Sequence, residues 1–289
     1  MMLIVESGST KSDWVLVSEG KITKRYKTMG FNPFFHNETI IYNSIKQNRE
    51  LLSISKKTKQ VFFYGAGCSS DELNLVVKKA LGKLFINASI NVDHDLLACA
   101  LATYDGKPAI SCIIGTGSNS CLFDGENLVE VVPALGYILG DEGSGSYYGK
   151  KLLTDYLYGK LPIDIKQEFD KTFKTSKADI FDNIYMKPHA NVYLASFMRF
   201  LSGLNEHEYV ENMLKQGMKH FMVNHVCCYD NFKELKVHFI GSMSFVFQEQ
   251  LKFAANELNI SLGAIIKNPI DGLVSYHINN PVKGLGFLN

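Results

Sequence analysis

Short apolar runs separated by turn residues open the chain. MLIV (residues 2 to 5), WVLVS (14 to 18) and the alternating KITKRYKT (21 to 28) read as three consecutive antiparallel strands, punctuated by Gly8 and by SEGK. The period then changes. NETIIYNSIKQNRELLSI has helical spacing, QVFFYGAG returns to strand, and SSDELNLVVKKALGKLF is a helix whose start offers a capping box of Ser69 with Glu72. SINVDHD is the end of a further strand and leads into the helix LLACALATY.

Near residue 109 the pattern restarts. AISCIIGTGSNSCLFDGENLVEVV again gives an apolar strand, a Gly/Ser/Thr turn, a second strand, a D-G-E turn and a third strand. Setting Gly8 of E-S-G-S against Gly117 of G-T-G-S superposes the two turns and implies an internal duplication. The expected division is a first domain over 1–108, completed by the segment 272–289, and a second over 109–271, with hinges near 107–110 and near NPIDGLVSYH. The later stretches FDNIYMKPHANVYLASFMRFL, VENMLKQGMKHFMVNHV and SFVFQEQLKFAANEL look helical and amphipathic, with apolar faces suited to a homodimer interface.

Composition narrows the class. The 289 residues suffice for two domains, and 30 basic against 29 acidic residues, with no dense Lys/Arg run, argue against nucleic acid or an anionic membrane as partner. No stretch approaches the roughly 20 apolar residues of a spanning helix, and MMLIVESG lacks the form of a secretory signal, so a cytoplasmic location is expected. The six cysteines contain no C-x-x-C pair and the eight histidines no metal spacing; Cys112 and Cys121, in apolar alternation, are expected to be buried thiols.

The two Gly/Ser turns carry the first chemical signal. Neither is a P-loop, which needs G-x-x-x-x-G-K-[ST] between strand and helix. They join strand to strand. Each alone is explained by the conformational preferences of Gly and Ser, but a matched pair of tight turns offers backbone N–H groups and hydroxyls suited to a polyphosphate. The second signal is PALGYILGDEGSGSYYGKKLL, from Pro133 to Leu153, where Gly and acidic residues run into a helix start whose exposed N–H groups favour oxygen ligands. Asp141 there offers two acceptor oxygens to sugar hydroxyls; the plainer alternative is that Asp141 and Glu142 cap the helix.

In order and spacing, E-S-G-S-T-K-S, V-D-H-D, I-I-G-T-G-S-N and G-Y-I-L-G-D-E-G-S resemble the N-acetylglucosamine kinase branch of the sugar kinase, actin and heat-shock ATPase superfamily. The resemblance covers roughly the first half of the chain. It implies an α/β fold of two ribonuclease H-like domains with mixed sheets, the actin-like ATPase fold, around a central cleft. It also implies transfer of the ATP γ-phosphoryl group to an amino sugar, most simply N-acetylglucosamine at its 6-hydroxyl, with ATP and Mg2+ as cofactors. Ser9, Thr10 and Lys11 would contact the phosphates from one domain and Gly115, Thr116, Gly117 and Ser118 from the other. Gly241 and Ser242 match the adenosine-side turn, and Glu6 falls where an acid orients magnesium through water. Asn32, Ala134, Leu135 and Asp141 fall at the sugar site, beside Tyr147 and Tyr148. Leu135 stands where relatives carry Trp.

The resemblance makes Asp95, which ends V-D-H-D, both a sugar contact and the general base. Asp93, two residues away on the same strand face, is its rival; His94 points the other way and is expected to be structural. Asp95 also has a plain alternative, as the N-cap of LLACALA. Two further readings compete with an amino-sugar kinase. A benzoyl-CoA reductase activator-type ATPase shares the phosphate turns but holds an iron-sulfur cluster, for which the adjacent Cys227 and Cys228 are poorly spaced. A sugar sensor would bind without turnover.

Overall fold

The three opening runs pair as an antiparallel meander in the computed structural model, which describes residues 1–8 and 10–280. Strands β1 (Met2–Ser7), β2 (Lys11–Ser18) and β3 (Lys21–Met29) reach further into the turn than the apolar runs suggest, because ladder pairing continues through Glu6 with Asp13 and Ser7 with Ser12. Glu6 and Lys11 are therefore strand residues. Helices α1 (Glu38–Gln47) and α2 (Arg49–Ile54) lead to β4 (Gln60–Gly65), then α3 (Asp71–Gly82), β5 (Ser89–His94) and α4 (Asp95–Thr103). The sheet order is β3-β2-β1-β4-β5, with β1, β4 and β5 parallel.

Period-2 alternation sorts this sheet's side chains. Leu3, Val5, Trp14, Leu16 and Tyr26 join Ile41 and Ile45 of α1 and Val77, Ala80 and Leu81 of α3 in one core. Trp14 is fully buried, and its indole N–H donates to Thr28 Oγ1 at 2.9 Å. At the start of α3 the expected cap moves by one residue. Ser70, not Ser69, is the N-cap, its side chain accepting from the Leu73 N–H, which places Glu72 too early in the first turn to complete a capping box.

The second unit repeats the scheme with β6 (Ala109–Ile114), β7 (Ser118–Phe123) and β8 (Leu128–Val129). Its helices follow as α5 (Gly136–Leu139), α6 (Gly145–Leu157), α7 (Ile163–Phe173), α8 (Lys177–Phe181), α9 (Ala190–Ser196), α10 (Met198–Ser202) and α11 (Glu208–His225). Strands β9 (Lys236–Ile240) and β10 (Leu262–Ile266) then flank α12 (Ser242–Val246) and α13 (Gln248–Glu257). The order β10-β9-β6-β7-β8 matches the first sheet strand for strand. Cys112 and Cys121 are buried, unpaired thiols in this sheet.

Shared topology corrects the alignment of the two turns. β1 ends at Ser7 opposite Ser12 and β6 at Ile114 opposite Ser118, which equates Gly8 with Gly115 and Glu6 with Ile113. Matching Gly8 to Gly117 followed the letters of the turns; the strand ends fix the equivalence. The chain forms two compact units, Met1–Gly106 with the described residues from Asn268, and Lys107–Lys267. Helix α14 (Ile270–Asn279) thus belongs to the first unit, where it lies along α4 so closely that a Cβ on Gly272 would stand 2.3 Å from the Ala102 carbonyl oxygen.

Candidate active site

In the first unit the meander turn is closed by the Gly8 N–H donating to the Lys11 carbonyl at 3.0 Å. Ser7 and Ser12, opposite each other and fully buried, tie this turn to the next segment. Ser12 Oγ lies 2.7 Å from Ser7 Oγ and 3.0 Å from the Met29 carbonyl, and Ser7 Oγ accepts from the Phe31 N–H at 2.8 Å. The adjoining residue is Asn32. Its Oδ1 accepts from the Phe34 N–H at 2.9 Å, while its amide nitrogen has no partner among the described residues. Asn32 also rests on Gly67, which has φ +80° and whose added Cβ would stand 2.3 Å from Asn32 Oδ1, so only glycine fits there. A buried serine pair and a glycine after β4 therefore orient a donor that the sequence placed at a sugar site.

A polar row crosses the same sheet. Lys27, Asp13, Glu6, Tyr64 and Asp93 are successive cross-strand partners on β3, β2, β1, β4 and β5. Lys11 Nζ holds Asp13 Oδ2 at 3.1 Å. The Glu6 carboxylate makes no hydrogen bond to a described residue; burial, with Asp95 and Asp13 nearby, pushes it up to about 7. Tyr64 Oη lies 2.9 Å from His277 Nε2 on α14, and burial lowers His277 to about 4, so this imidazole is neutral at pH 7.

Asp93 and Asp95 separate at the end of the row. Asp93 Oδ1 accepts the His94 N–H at 2.8 Å and lies 3.4 Å from His94 Nε2; burial raises its carboxyl while the His94 backbone N–H it accepts opposes the rise. Asp95 is the first residue of α4 and not its cap. His94 is the cap, with Nδ1 accepting from the Leu97 N–H at 3.2 Å. Burial, with Asp95 and Asp93 nearby, raises the Cys68 thiol to about 12, which disfavours the thiolate near pH 7. Ser9 lies outside the described residues, and Thr10 and Lys11 are exposed.

In the second unit the G-T-G-S turn is braced from below. Gly115 N–H donates to the Gly117 carbonyl at 2.9 Å, and the first amides of α6, Gly145 and Ser146, donate to the Gly115 and Thr116 carbonyls at 2.8 and 3.1 Å. The helix start expected to receive a ligand instead supports the turn. Ser144 caps α6, so neither Asp141 nor Glu142 does. Asp141, 9% exposed, accepts the Ser118 N–H on Oδ1 at 3.1 Å, and a Cβ on Gly117 would stand 2.9 Å from its carboxylate. The N–H groups of Thr116 and Gly117 are left without partners among the described residues, and the Thr116 side chain likewise.

Two more segments meet this turn. Ile240 pairs with Ile113, which brings Gly241 beside the end of β6; with φ +129° and an added Cβ 2.2 Å from the Ile114 oxygen, Gly241 tolerates no side chain. Ser242 next to it is exposed. Leu135 touches Gly140, whose added Cβ would stand 3.0 Å from it, and is 55% exposed; Ala134 is exposed too. Tyr148 is fully buried and donates to the Leu214 carbonyl at 2.8 Å, so of the tyrosine pair only Tyr147 has an accessible ring. Sequence reasoning gave Glu142 only a capping role and missed its tie to α11: its carboxylate accepts from Asn224 Nδ2 at 2.9 Å and its carbonyl from Ser118 Oγ at 2.8 Å.

A solved structure from Porphyromonas gingivalis, described as a candidate N-acetylglucosamine kinase, is 35% identical over 98% of this chain and 100% of its own, with a TM-score of 0.92. The chain belongs to the sugar kinase superfamily. Its two mixed sheets are those of the actin-like ATPase fold. A second candidate N-acetylglucosamine kinase, from Chromobacterium violaceum, shares that fold at 16% identity, covering 95% of this chain and 98% of its own, with a TM-score of 0.68. So does a ROK family glucokinase from Streptomyces griseus in complex with glucose and AMPPNP, at 15% identity, 95% and 97% coverage and a TM-score of 0.56. No family model matches the chain, and no curated protein matches it.

Proposed function

We propose that this carbohydrate kinase transfers the γ-phosphoryl group of ATP to an amino sugar, N-acetylglucosamine, at its 6-hydroxyl. The observation that carries the reading is the approach of two acids: Asp95 at the start of α4 lies near enough to Glu6 on β1 to add to the rise that burial gives the Glu6 carboxyl, to about 7. Phosphoryl transfer asks for positioning and charge control more than for a covalent nucleophile. Asp95 accepts the proton of the attacking hydroxyl, an effect typically worth about 100- to 10,000-fold. The partnerless amides of Thr116 and Gly117, with the Thr116 hydroxyl, receive phosphate oxygens, and Thr10 and Lys11 serve the same end from the first turn.

Asn32 donates its fixed amide to the sugar, and Asp141 accepts from its hydroxyls. Leu135 offers exposed apolar surface to the acetyl methyl. The Gly241–Ser242 turn takes the adenosine side. Glu6 fits a hydrated magnesium ion, since its carboxylate lacks a protein donor and stands among other acids, and magnesium keeps waters that one or two carboxylates can hold. When bound, magnesium neutralises charge on the phosphates; Glu6 orients its shell.

A coupled ADP-release assay tests the proposal with N-acetylglucosamine, glucosamine, N-acetylmuramic acid, N-acetylmannosamine and glucose. N-acetylglucosamine should give the highest kcat/KM. Preference for another member would reassign the substrate, and sugar-independent ADP release would point to an ATPase; silence with all five would leave a sensor.

A further inference from the structure

The sequence V-D-H-D places three polar side chains in a row, and the proposed chemistry uses one of them. The other two are engaged with each other and with the helix that carries the third. For His94 Nδ1 to accept the Leu97 N–H at 3.2 Å it must be unprotonated, which leaves the ring proton on Nε2. That nitrogen lies 3.4 Å from Asp93 Oδ1, the same oxygen that accepts the His94 N–H at 2.8 Å. One carboxylate oxygen thus accepts the backbone N–H of the capping residue and faces its ring nitrogen. Both residues are in turn fixed to the sheet, Asp93 opposite Tyr64 and His94 opposite Gly65.

We propose that Asp93 and His94 are a positioning pair for Asp95. An ordinary cap such as Ser or Asn accepts the helix N–H without help, whereas an imidazole does so only in one tautomer and one ring orientation, and the Asp93 carboxylate facing Nε2 favours the tautomer that carries its proton there. The helix begins where His94 caps it, and Asp95 is its first residue. A shift of the cap displaces the carboxylate directly, and misplacement by about 1 Å can cost on the order of 100-fold in rate. Asp93, its oxygen taken up by His94, orients the cap and does not compete as base. The inference rests on Asp95 being the base.

The test uses the full chain with ATP and N-acetylglucosamine as substrates, and reads amide exchange at Leu97 beside steady-state kinetics. His94→Ala should speed Leu97 exchange roughly fivefold, as loss of a cap does, and lower kcat roughly tenfold or more with KM for ATP little changed. His94→Asn, which can cap through its own amide oxygen, should restore Leu97 protection and most of kcat. Asp93→Asn should lower kcat by a smaller factor and speed Leu97 exchange less than His94→Ala does. His94→Ala with fast Leu97 exchange and unchanged kcat would overturn the pair, and so would His94→Asn that restores protection without restoring turnover. Asp95→Asn separates the two levels. If it is inactive while His94→Ala is not impaired, positioning alone is wrong; if it turns over normally, the base assignment falls and the pair with it.

Discussion

Near pH 7 the Glu6 carboxyl stands at its own midpoint, because burial and the neighbouring Asp95 and Asp13 raise it from 4.5 to about 7. The folded state holds this proton more tightly than the unfolded chain. Its contribution to stability is therefore complete below about pH 4.5 and is lost as pH rises through about 7. Metal-free protein should lose melting temperature over that window, and Glu6→Gln should flatten the loss. Magnesium held as proposed would need the ionised carboxylate, so its affinity, followed by calorimetry, should rise with pH through about 7 and level off above it. An identical titration in Glu6→Gln would remove Glu6 from the metal's surroundings. At this scale the sequence offers candidates where chemistry shows in residue type, as at Glu6, Asp95 and Asp141, whose roles are proposals. It was silent where roles depend on distant partners: Gly67 acquires meaning only from Asn32, and Glu142 only from Asn224.

Elements were legible as periods and turns but not as registers. Apolar runs located β1, β2 and β3, yet the pairing of Glu6 with Asp13 and of Ser7 with Ser12 depends on how the turn closes, which composition does not encode. The same limit displaced the alignment of the two turns by two residues. At α3, two consecutive serines make the cap ambiguous, and the hydrogen bond to Leu73 selects the second. Ser70→Ala should therefore cost about 1 kcal/mol in chemical denaturation and Ser69→Ala clearly less. An equal effect at both would dispute the observed cap. At the junction of β9 and α12, Gly241→Ala meets both a forbidden φ and the Ile114 carbonyl. Its destabilisation should reach about 1–3 kcal/mol, the usual range for a strained backbone residue, and should be visible in the melting temperature even without ligand.

At the scale of the whole molecule, the restart near residue 109 was the most productive sequence feature, since two sheets of identical strand order follow from it. Helix α14 was harder to place: it returns to the first unit across more than a hundred residues of the second, and its Ile270, Leu273 and Val274 are buried there. Among the described residues no helix is long and apolar enough to cross a membrane. The second unit's helices carry none of the proposed reacting groups, which sit on strand ends and the segments that follow them. The central claim concerns which atom receives phosphate. Phosphorus-31 NMR of a reaction with ATP, magnesium and N-acetylglucosamine reads it directly. A phosphomonoester split into a triplet by the two C6 protons should grow in step with ADP, and Asp95→Asn should leave it absent. Inorganic phosphate alone, a doublet from a phosphate on a ring carbon, or unconsumed ATP would contradict the account.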